Sequence, residues 1–301
     1  MTRREIVKLA GIVGAGVLLP GEVQAFGSMI EAIVEKISEG IKGTIGKDIE
    51  IPPPVPGTKF GMVIDLGLCI GCRRCSYGCK LENNVPDSIN PPYIMVFQTK
   101  YKPGQVMAES DLLGKNKERG TLKYTRLRKD RMYMPVQCNH CLDAPCTKVC
   151  PTKATYKSAD GIVMMDYNKC IGCRYCMAAC PYGARRFNWS KPTGILAENI
   201  NPMVPLRTDG IVEKCTFCVH RTRRGSTTKC VEVCPNKART FGNLNDPNSA
   251  VSRIITSERN FRLKEGLNTN PNIYYLTDPK RKPMRWFKAE PLDMDIRGLK
   301  S

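Results

Sequence analysis

The sequence is poor in histidine and in long apolar runs, and each shortage excludes a class of protein. It holds only 2 histidines, His140 and His220, in 301 residues. Two histidines are too few for a rich Cys/His zinc array or a convincing histidine-ligated haem. The apolar stretch 9–19 is about eleven residues long, too short to cross a bilayer comfortably. No other stretch approaches the length that spans a membrane, so we expect no integral membrane anchor unless this N-terminal stretch is retained.

Motifs for enzymatic chemistry are missing as well. The chain has no Walker A loop, no G-x-G-x-x-G sequence that opens a βαβ unit, and no Cys/His pair with a spare cysteine. We therefore expect no catalytic residue in this chain and expect substrate chemistry to belong to a partner.

Cysteine, in contrast, is abundant. The 16 cysteines form four groups that each open with C-x2-C and close with C-x3-C, which indicates an internal repeat. Groups one and three read C-x2-C-x2-C-x3-C, group two reads C-x2-C-x4-C-x3-C, and group four reads C-x2-C-x11-C-x3-C. In chain order the groups are Cys69, Cys72, Cys75, Cys79; Cys138, Cys141, Cys146, Cys150; Cys170, Cys173, Cys176, Cys180; and Cys215, Cys218, Cys230, Cys234.

This spacing is typical of [4Fe–4S] clusters. A tight C-x2-C-x2-C turn presents three thiolates to one cluster, and in bacterial two-cluster ferredoxins the fourth cysteine binds the other cluster. Proline follows the fourth cysteine of groups two, three and four, whereas Lys80 follows Cys79. Structural zinc, disulfides and a three-iron cluster are weaker alternatives, the last because no cysteine is missing.

We therefore predict four [4Fe–4S] clusters whose cysteine groups exchange their fourth ligands in pairs. Groups two and three are nearest in sequence and pair as one unit, so groups one and four pair around them. The predicted ligand sets are called sites 1 to 4. Site 1 is Cys69, Cys72, Cys75 and Cys234; site 2 is Cys215, Cys218, Cys230 and Cys79; site 3 is Cys138, Cys141, Cys146 and Cys180; site 4 is Cys170, Cys173, Cys176 and Cys150.

The formal charge of +19 then has a partly internal explanation. Four thiolates outweigh the charge of a cluster core and leave about −2 per site, so four clusters would lower the net charge to about +11. We expect basic residues beside the cysteines to balance this charge, and we predict no nucleic-acid binding. Those basic residues are Arg73, Arg74, Lys169, Arg174 and Lys214.

Residues 1–25 resemble a twin-arginine export signal. Arg3 and Arg4 precede the apolar stretch, and residues 23–25 form a small-residue cleavage pattern. This route carries folded proteins with their cofactors, so it suits clusters better than disulfides. The alternative is a basic N-terminus on an ordinary core helix. We predict a protein on the periplasmic (extracytoplasmic) face of the cytoplasmic membrane, peripheral and exported folded.

The whole pattern predicts an α+β fold of two interleaved bacterial-ferredoxin-like units with a long insertion and an extended C-terminal tail. A strand is expected from Phe60 to Asp65, and a hairpin at Asp160-Gly161. The predicted segments are an amphipathic helix and Pro-rich linker (26–59), an outer unit with groups one and four (60–81 with 205–250), an insertion (82–137), an inner unit with groups two and three (138–190), and a wrapping tail (251–301).

The order of the spacings resembles the four-cluster iron–sulfur subunits of membrane-associated respiratory oxidoreductases, the dimethyl-sulfoxide-reductase-type family. The wider second group and the long gap in the fourth are typical of that family. Segments 170–189, 239–255 and 267–276 are similar to its hallmark sequences. The resemblance covers roughly residues 60–277, includes all 16 cysteines, and is closest in style to members with their own twin-arginine signal.

The resemblance implies an electron-transfer subunit. Its partners would be a polytopic quinone-interacting membrane subunit at one end and, at the other, a catalytic molybdenum or other redox subunit or a multihaem cytochrome c. Complexes linked to sulfur compounds or to quinone are favoured. The alternative is a free-standing periplasmic polyferredoxin, whose basic surface would suit docking to acidic cytochromes.

Two further sets of residues receive predicted roles. Aromatic residues near the ligands are expected to pack against the clusters and keep them dry, or else to take part in electron transfer or quinone contact. The segment from Val219 to Lys229 is predicted to be an inserted loop that balances cluster charge or docks a partner. The aromatic set is His140, Tyr175, Tyr182, Phe187 and Trp189, and the docking set is Arg221, Arg223 and Arg224.

Overall fold

The computed structural model describes residues 51–86, 89, 92–100, 131–190 and 200–277. These ranges contain all 16 cysteines, each of them a free thiol. The predicted export signal with Arg3 and Arg4, the predicted helix that follows it, residues 101–130 of the insertion and residues 278–301 lie outside them.

A four-stranded sheet in the order β8-β1-β10-β9 is the largest sheet of the described chain. Strand β1 (Phe60–Asp65) is buried along its whole length, as expected of an apolar run in the middle of a sheet. It pairs antiparallel with β8 (Arg239–Asn243) and parallel with β10 (Ile273–Leu276), and β9 (Asn260–Phe261) pairs with β10. The strand predicted after the Pro-rich linker is therefore confirmed.

The segment after residue 250 differs from the predicted wrapping tail. Helix α6 (Ala250–Ser257) packs on β8 and β1, and a 3₁₀ turn (Glu265–Leu267) leads into β10. The helix begins at a Ser249 cap that accepts a hydrogen bond from the Ser252 N–H at 3.2 Å. Sequence periodicity missed these elements because each is short, and because β10 is an apolar run of only four residues. Residues 250–276 therefore pack on, or pair within, the sheet that contains β1.

Three two-stranded ladders carry the segments between cysteine groups. The predicted Asp160-Gly161 hairpin is confirmed, with Gly161 in the left-handed region at φ 79°. The ladders are β2 (Met95–Lys100) with β3 (Arg131–Val136), β4 (Thr155–Lys157) with β5 (Val163–Met165), and β6 (Arg185–Phe187) with β7 (Val212–Lys214). Within the insertion, β2 and β3 form an antiparallel pair.

Short helices lead into the fourth cysteine of each group, and they meet in pairs. Helix α1 of group one packs on α5 of group four, and α2 of group two packs on α3 of group three. The predicted loop of group four begins as a helical turn, α4, so it is helical in part. The bounds are α1 (Arg74–Glu82), α2 (Pro145–Lys148), α3 (Tyr175–Ala178), α4 (Val219–Thr222) and α5 (Lys229–Glu232).

Helix α1 is longer than α2, α3 and α5 because of one residue. In groups two to four, proline follows the fourth cysteine and the helix ends before it, since proline cannot continue a helix. In group one the same position is Lys80, and α1 continues to Glu82.

Substitution of Tyr275 tests whether β10 belongs to the core. Its side chain is fully buried and its hydroxyl donates to the Pro135 carbonyl at 3.0 Å. We expect Tyr275→Ala to lower the free energy of unfolding by about 3–5 kcal/mol, because it leaves a cavity. Tyr275→Phe should cost about 1 kcal/mol, the loss of one hydrogen bond.

The measurement is urea unfolding followed by cluster absorption and by circular dichroism, with half-buried Tyr274→Ala as the control on the same strand. Equal, small effects of both alanine variants would show that residues 273–276 merely cover a finished core.

Candidate metal centres

Each C-x2-C turn is made by a left-handed residue just before its second cysteine. At Gly172 a side chain is excluded by space as well as conformation, because a Cβ there would lie 2.2 Å from the Gly210 carbonyl oxygen. Groups two and four place large residues at this position, and these two rings stack on each other at 3.8 Å. The four residues are Gly71 (φ 73°), His140 (φ 44°), Gly172 (φ 70°) and Phe217 (φ 54°).

The four thiols of site 1 meet in the structure. Cys234 lines one cavity of about 400 Å³ together with the three cysteines of group one. Cys75 is buried and the other three thiols are half-buried. The Ala238 N–H donates to Cys234 Sγ at 3.3 Å. The structure thus brings Cys234 away from Cys215, Cys218 and Cys230 to the turn of group one.

The thiols of site 2 are all buried. The Asn83 amide lies 3.6 Å from Cys79 Sγ and 3.7 Å from Cys218 Sγ, so it joins groups one and four. Burial, and then the negative charges of Cys215, Cys218 and Cys230, raise the pKa of Cys79. The Phe217 N–H donates to Cys215 Sγ at 3.4 Å, the kind of backbone contact that stabilises a thiolate.

Site 3 also forms one cavity, of about 320 Å³, which is lined by all four of its predicted cysteines. Three are buried and Cys180 is half-buried. Tyr182 closes one side, and its hydroxyl hydrogen-bonds the Leu263 carbonyl at 3.2 Å and the Thr269 hydroxyl at 2.5 Å.

Site 4 is the most open of the four. Its predicted cysteines line a cavity of about 280 Å³, and Cys173 is exposed while Cys176 is buried. The Thr155 N–H donates to Cys150 Sγ at 3.5 Å. Burial raises the pKa of Cys150 somewhat, but hydrogen bonds from Thr155 and Thr152 outweigh it, so the pKa falls below its usual value.

The donor sets fit [4Fe–4S] clusters better than single ions. Three of the sets surround a cavity of about 280–400 Å³ rather than converge on a point. Within the described ranges, no three Cys, His, Asp or Glu side chains are close enough to hold one ion. Burial and neighbouring thiolates raise the pKa of Cys141 to about 12, and burial raises that of Cys75 to about 11, so bound metal must displace these protons.

Two arginines near the sites were missed in the sequence. Arg185 lines site 3 and Arg239 lines site 1, and both side chains are buried. Each stands five residues after a fourth cysteine, in the repeated sequence C-P-x-x-A-R at 180–185 and 234–239. That repeat is the signal that would have identified them. Asn83 was also missed, and no pattern in the sequence marks it.

The predicted aromatic set divides into buried and exposed members. His140 and Tyr182 are buried and pack beside sites 2 and 3 as predicted. Tyr175 and Trp189 are 63% and 72% exposed, so packing does not explain them. Arg174 lies over the rings of Phe187 and Trp189, with its guanidinium carbon 5.3 and 4.8 Å from their centroids.

The predicted docking set also divides. The Arg223 side chain is buried and pairs with Asp160 at 2.7 Å, and Arg221 pairs with Glu82 at 3.1 Å. Carboxylates therefore account for these two, and neither role predicted for the loop is needed to explain them. Arg224 is the exposed member of the set and donates to the His220 carbonyl at 2.6 Å. Its docking role stays a prediction.

Comparison with protein families gives three overlapping matches to models described as 4Fe-4S dicluster domains. They cover residues 68–154, 129–195 and 169–239. Each match takes in two consecutive cysteine groups, so the matches show the repeat but not which groups share a cluster. The chain binds [4Fe–4S] clusters, and its 16 cysteines are the number that four clusters require.

Individual relatives extend over most of the chain. A Halobacterium salinarum protein named as an iron–sulfur subunit of dimethyl sulfoxide reductase is 42% identical, over 79% of this chain and 86% of its own length. The chain belongs to the dimethyl-sulfoxide-reductase-type family of iron–sulfur subunits.

Other members of this family are named for quinone-linked complexes. The Archaeoglobus fulgidus Hdr-like menaquinol oxidoreductase iron–sulfur subunit 1 is 35% identical, over 91% of this chain and 97% of its own length. The iron–sulfur cluster-binding subunit of a Nitratidesulfovibrio vulgaris menaquinone reductase is 38% identical, over 73% of this chain and 89% of its own length. In the described ranges, no helix combines the length and the apolar character needed to span a bilayer.

Gly172 tests the importance of the left-handed turn for site 4. We expect Gly172→Ala to lose one cluster, roughly a quarter of the bound iron, because the new Cβ collides with a backbone oxygen that cannot move aside. Iron and acid-labile sulfide analysis of anaerobically purified protein measures the loss.

Gly183→Ala is the matched control. Gly183 is also left-handed, at φ 55°, but no atom lies within 4 Å of its added Cβ. This variant should keep its full iron content. Equal iron contents for both variants would contradict the close approach at Gly172.

Proposed function

We propose that this chain is an electron-transfer subunit that holds four [4Fe–4S] clusters in the ligand sets of sites 1 to 4. Such clusters supply one-electron transfer when bound. The observation that carries the proposal is the meeting of cysteines from distant groups: Cys234 lines the cavity of group one, and Cys180 lines that of group two. Cys150 joins group three in the same way.

The same meetings support two interleaved ferredoxin-like units. Groups one and four are joined by the α1–α5 packing and by the pairing of β1 with β8. Groups two and three are joined by the α2–α3 packing, and the β4–β5 hairpin lies between them in sequence. The inner unit thus lies within the outer one along the chain.

Contacts between neighbouring sites support a linear order 1–2–3–4. Arg239 lines site 1 and lies 3.6 Å from Cys230 of site 2. The stacked rings of Phe217 and His140 come from the turns of sites 2 and 3. Arg185 lines site 3 and donates to Thr155, which lines site 4. Sites 2 and 3 are the most buried, as the middle of a chain of centres should be.

Site 4 would be one terminus of this chain and the place where a partner docks. Beside exposed Cys173, Ile171 is 66% exposed, and Tyr175 and Trp189 share this face. These four residues are called the site-4 face. Aromatic residues are enriched at protein–protein interfaces, and apolar patches on a monomer mark such contacts. An apolar face favours a stable subunit contact over the electrostatic docking of a shuttle.

The partners proposed are a polytopic quinone-interacting membrane subunit and a catalytic molybdenum or other redox subunit, or a multihaem cytochrome c. Support comes from relatives whose names include menaquinol oxidoreductase and menaquinone reductase. Arg3 and Arg4 support export of the folded chain to the periplasmic face of the membrane. The competing function is a free-standing polyferredoxin, which the charge of +19 favours and the site-4 face does not.

Serine substitutions test the exchange of fourth ligands. We expect Cys234→Ser to alter the same cluster as Cys69→Ser, since both thiols belong to site 1, and Cys79→Ser to alter the same cluster as Cys215→Ser. Low-temperature EPR of the reduced, anaerobically purified protein identifies the altered signal in each variant. If Cys234→Ser instead matched Cys230→Ser, each group would keep its own fourth ligand.

Purification from the native membrane tests the subunit proposal. We expect the tagged full-length chain to co-purify from detergent-solubilised membranes with a polytopic protein, and replacement of Arg3 and Arg4 by lysine to leave it in the cytoplasm. Mass spectrometry and cell fractionation give the two results. Purification alone, from the soluble periplasmic fraction, would favour the free-standing polyferredoxin.

A further inference from the structure

Three buried cations occupy the three junctions between neighbouring sites. Arg239 lies between sites 1 and 2, as described above, and Arg185 lies between sites 3 and 4. Lys214 lies between sites 2 and 3: its ammonium donates to the carbonyl of Cys215 at 2.7 Å and to that of Val163, which lines site 3. These residues are called the junction cations.

The hydrogen-bond partners of the junction cations leave their charges unbalanced within the protein. Arg239 donates to the Gln137 side-chain oxygen at 2.8 Å and to Met62 sulfur at 3.4 Å. Arg185 donates to the Thr155 hydroxyl at 3.1 Å and to Met165 sulfur at 3.2 Å. Of the described residues, no carboxylate forms an ion pair with any junction cation, and Nη2 of each arginine has no hydrogen-bond partner there.

Two other arginines with buried side chains, by contrast, have carboxylate partners. Arg207 pairs with Glu213 at 2.9 Å, and Arg223 pairs with Asp160 at 2.7 Å. A buried charge without a partner costs several kcal/mol. The contrast indicates that a negative group other than a carboxylate compensates the junction cations.

The pairing of β6 with β7 gives further evidence that the junction cations need a negative partner. Arg185 on β6 and Lys214 on β7 stand directly opposite each other in the ladder, and both side chains are buried. Like charges at opposed positions destabilise a sheet. Cysteines of the neighbouring sites are a source of negative charge for both cations: Cys138 and Cys146 of site 3 act on both, and Cys176 of site 4 acts on Arg185.

We propose that each junction cation raises the reduction potentials of the two clusters between which it lies. Reduction adds one electron to a cluster that is already negative, and a fixed positive charge in a poorly polarisable interior stabilises the added charge. Removing the cation therefore lowers the potential. The proposal rests on the ligand sets of the proposed function, and it places one cation at every step of the chain.

Two lysines in equivalent positions distinguish an effect of buried charge on the reduction potential from an effect of standing next to a cysteine in the sequence. Lys214 and Lys169 both precede the first cysteine of a group, in the sequences K-C-T-F-C and K-C-I-G-C. Lys214 is fully buried, whereas the Lys169 side chain is 66% exposed and pairs with Asp166 at 3.2 Å. Solvent and Asp166 screen Lys169, so its charge should have little effect on site 4.

The experiment is an EPR-monitored redox titration of anaerobically purified, cluster-loaded protein carrying Lys214→Met, Lys214→Arg or Lys169→Met. We expect Lys214→Met to lower two of the four midpoint potentials, each by at least a tenfold change in the reduction equilibrium, about 59 mV for one electron. Lys214→Arg should restore them, and Lys169→Met should change none by more than twofold. Arg185→Met and Arg239→Met should each lower a different pair.

Other outcomes decide against the proposal. Wild-type potentials in any fully loaded charge-removing variant, or equal shifts in Lys214→Arg and Lys214→Met, would overturn it. Loss of clusters in all three charge-removing variants, with normal loading of Lys214→Arg and Lys169→Met, would assign the cations to cluster retention instead. Iron and sulfide content separates a failure of the ligand sets, which would appear in the unsubstituted protein, from a failure of this proposal.

Discussion

The fold depends on bringing the last cysteine of each group to a turn that lies elsewhere in the sequence. Cys234 reaches the turn of group one, and Cys79 reaches that of group four. Those residues are far apart in the chain, and the sheet that joins β1 to β8 and β10 holds groups one and four together. Burial raises the pKa of the Cys79 and Cys215 thiols, so without metal these residues disfavour the thiolate form that a cluster needs. Folding and metal binding are therefore linked.

Concentrated negative charge is the second consequence of this arrangement. Sixteen cysteines lie in one small protein, and most of those in sites 2 and 3 are buried. Among the described residues, lysines and arginines occupy two environments: some, such as Lys169, are exposed, and a buried set lies on strands β6, β7 and β8 next to the sites. Composition counts both kinds together, so a charge count alone could not reveal the buried set.

Sequence reasoning succeeded where spacing fixes geometry. The cysteine groups, strand β1 and the Asp160-Gly161 hairpin follow from local patterns, and the structure contains each of them. It failed where the outcome depends on distant packing. Strand β10 is too short to be distinguished from a loop, yet it lies next to β1, with Tyr275 fully buried. Likewise, Lys169 and Lys214 both stand directly before a C-x2-C pair, and only the fold determines which one is buried.

Two departures from the regular cysteine groups contribute to one contact: Lys80 in place of proline in group one, and the long gap of group four. Lys80 in place of proline lets α1 run to Glu82, and the next residue, Asn83, then donates to the thiols of Cys79 and Cys218. The long gap of group four supplies His220 and Arg221, which bond the two oxygens of Glu82 at 2.8 and 3.1 Å.

Each of the two departures supplies one side of the contact at Glu82. A proline at position 80 would end α1 before Glu82, and without the inserted segment the Glu82 carboxylate would lose His220 and Arg221. Because this contact holds the end of α1, the lengthened helix and the stretched motif together place the Asn83 amide against the thiols of Cys79 and Cys218.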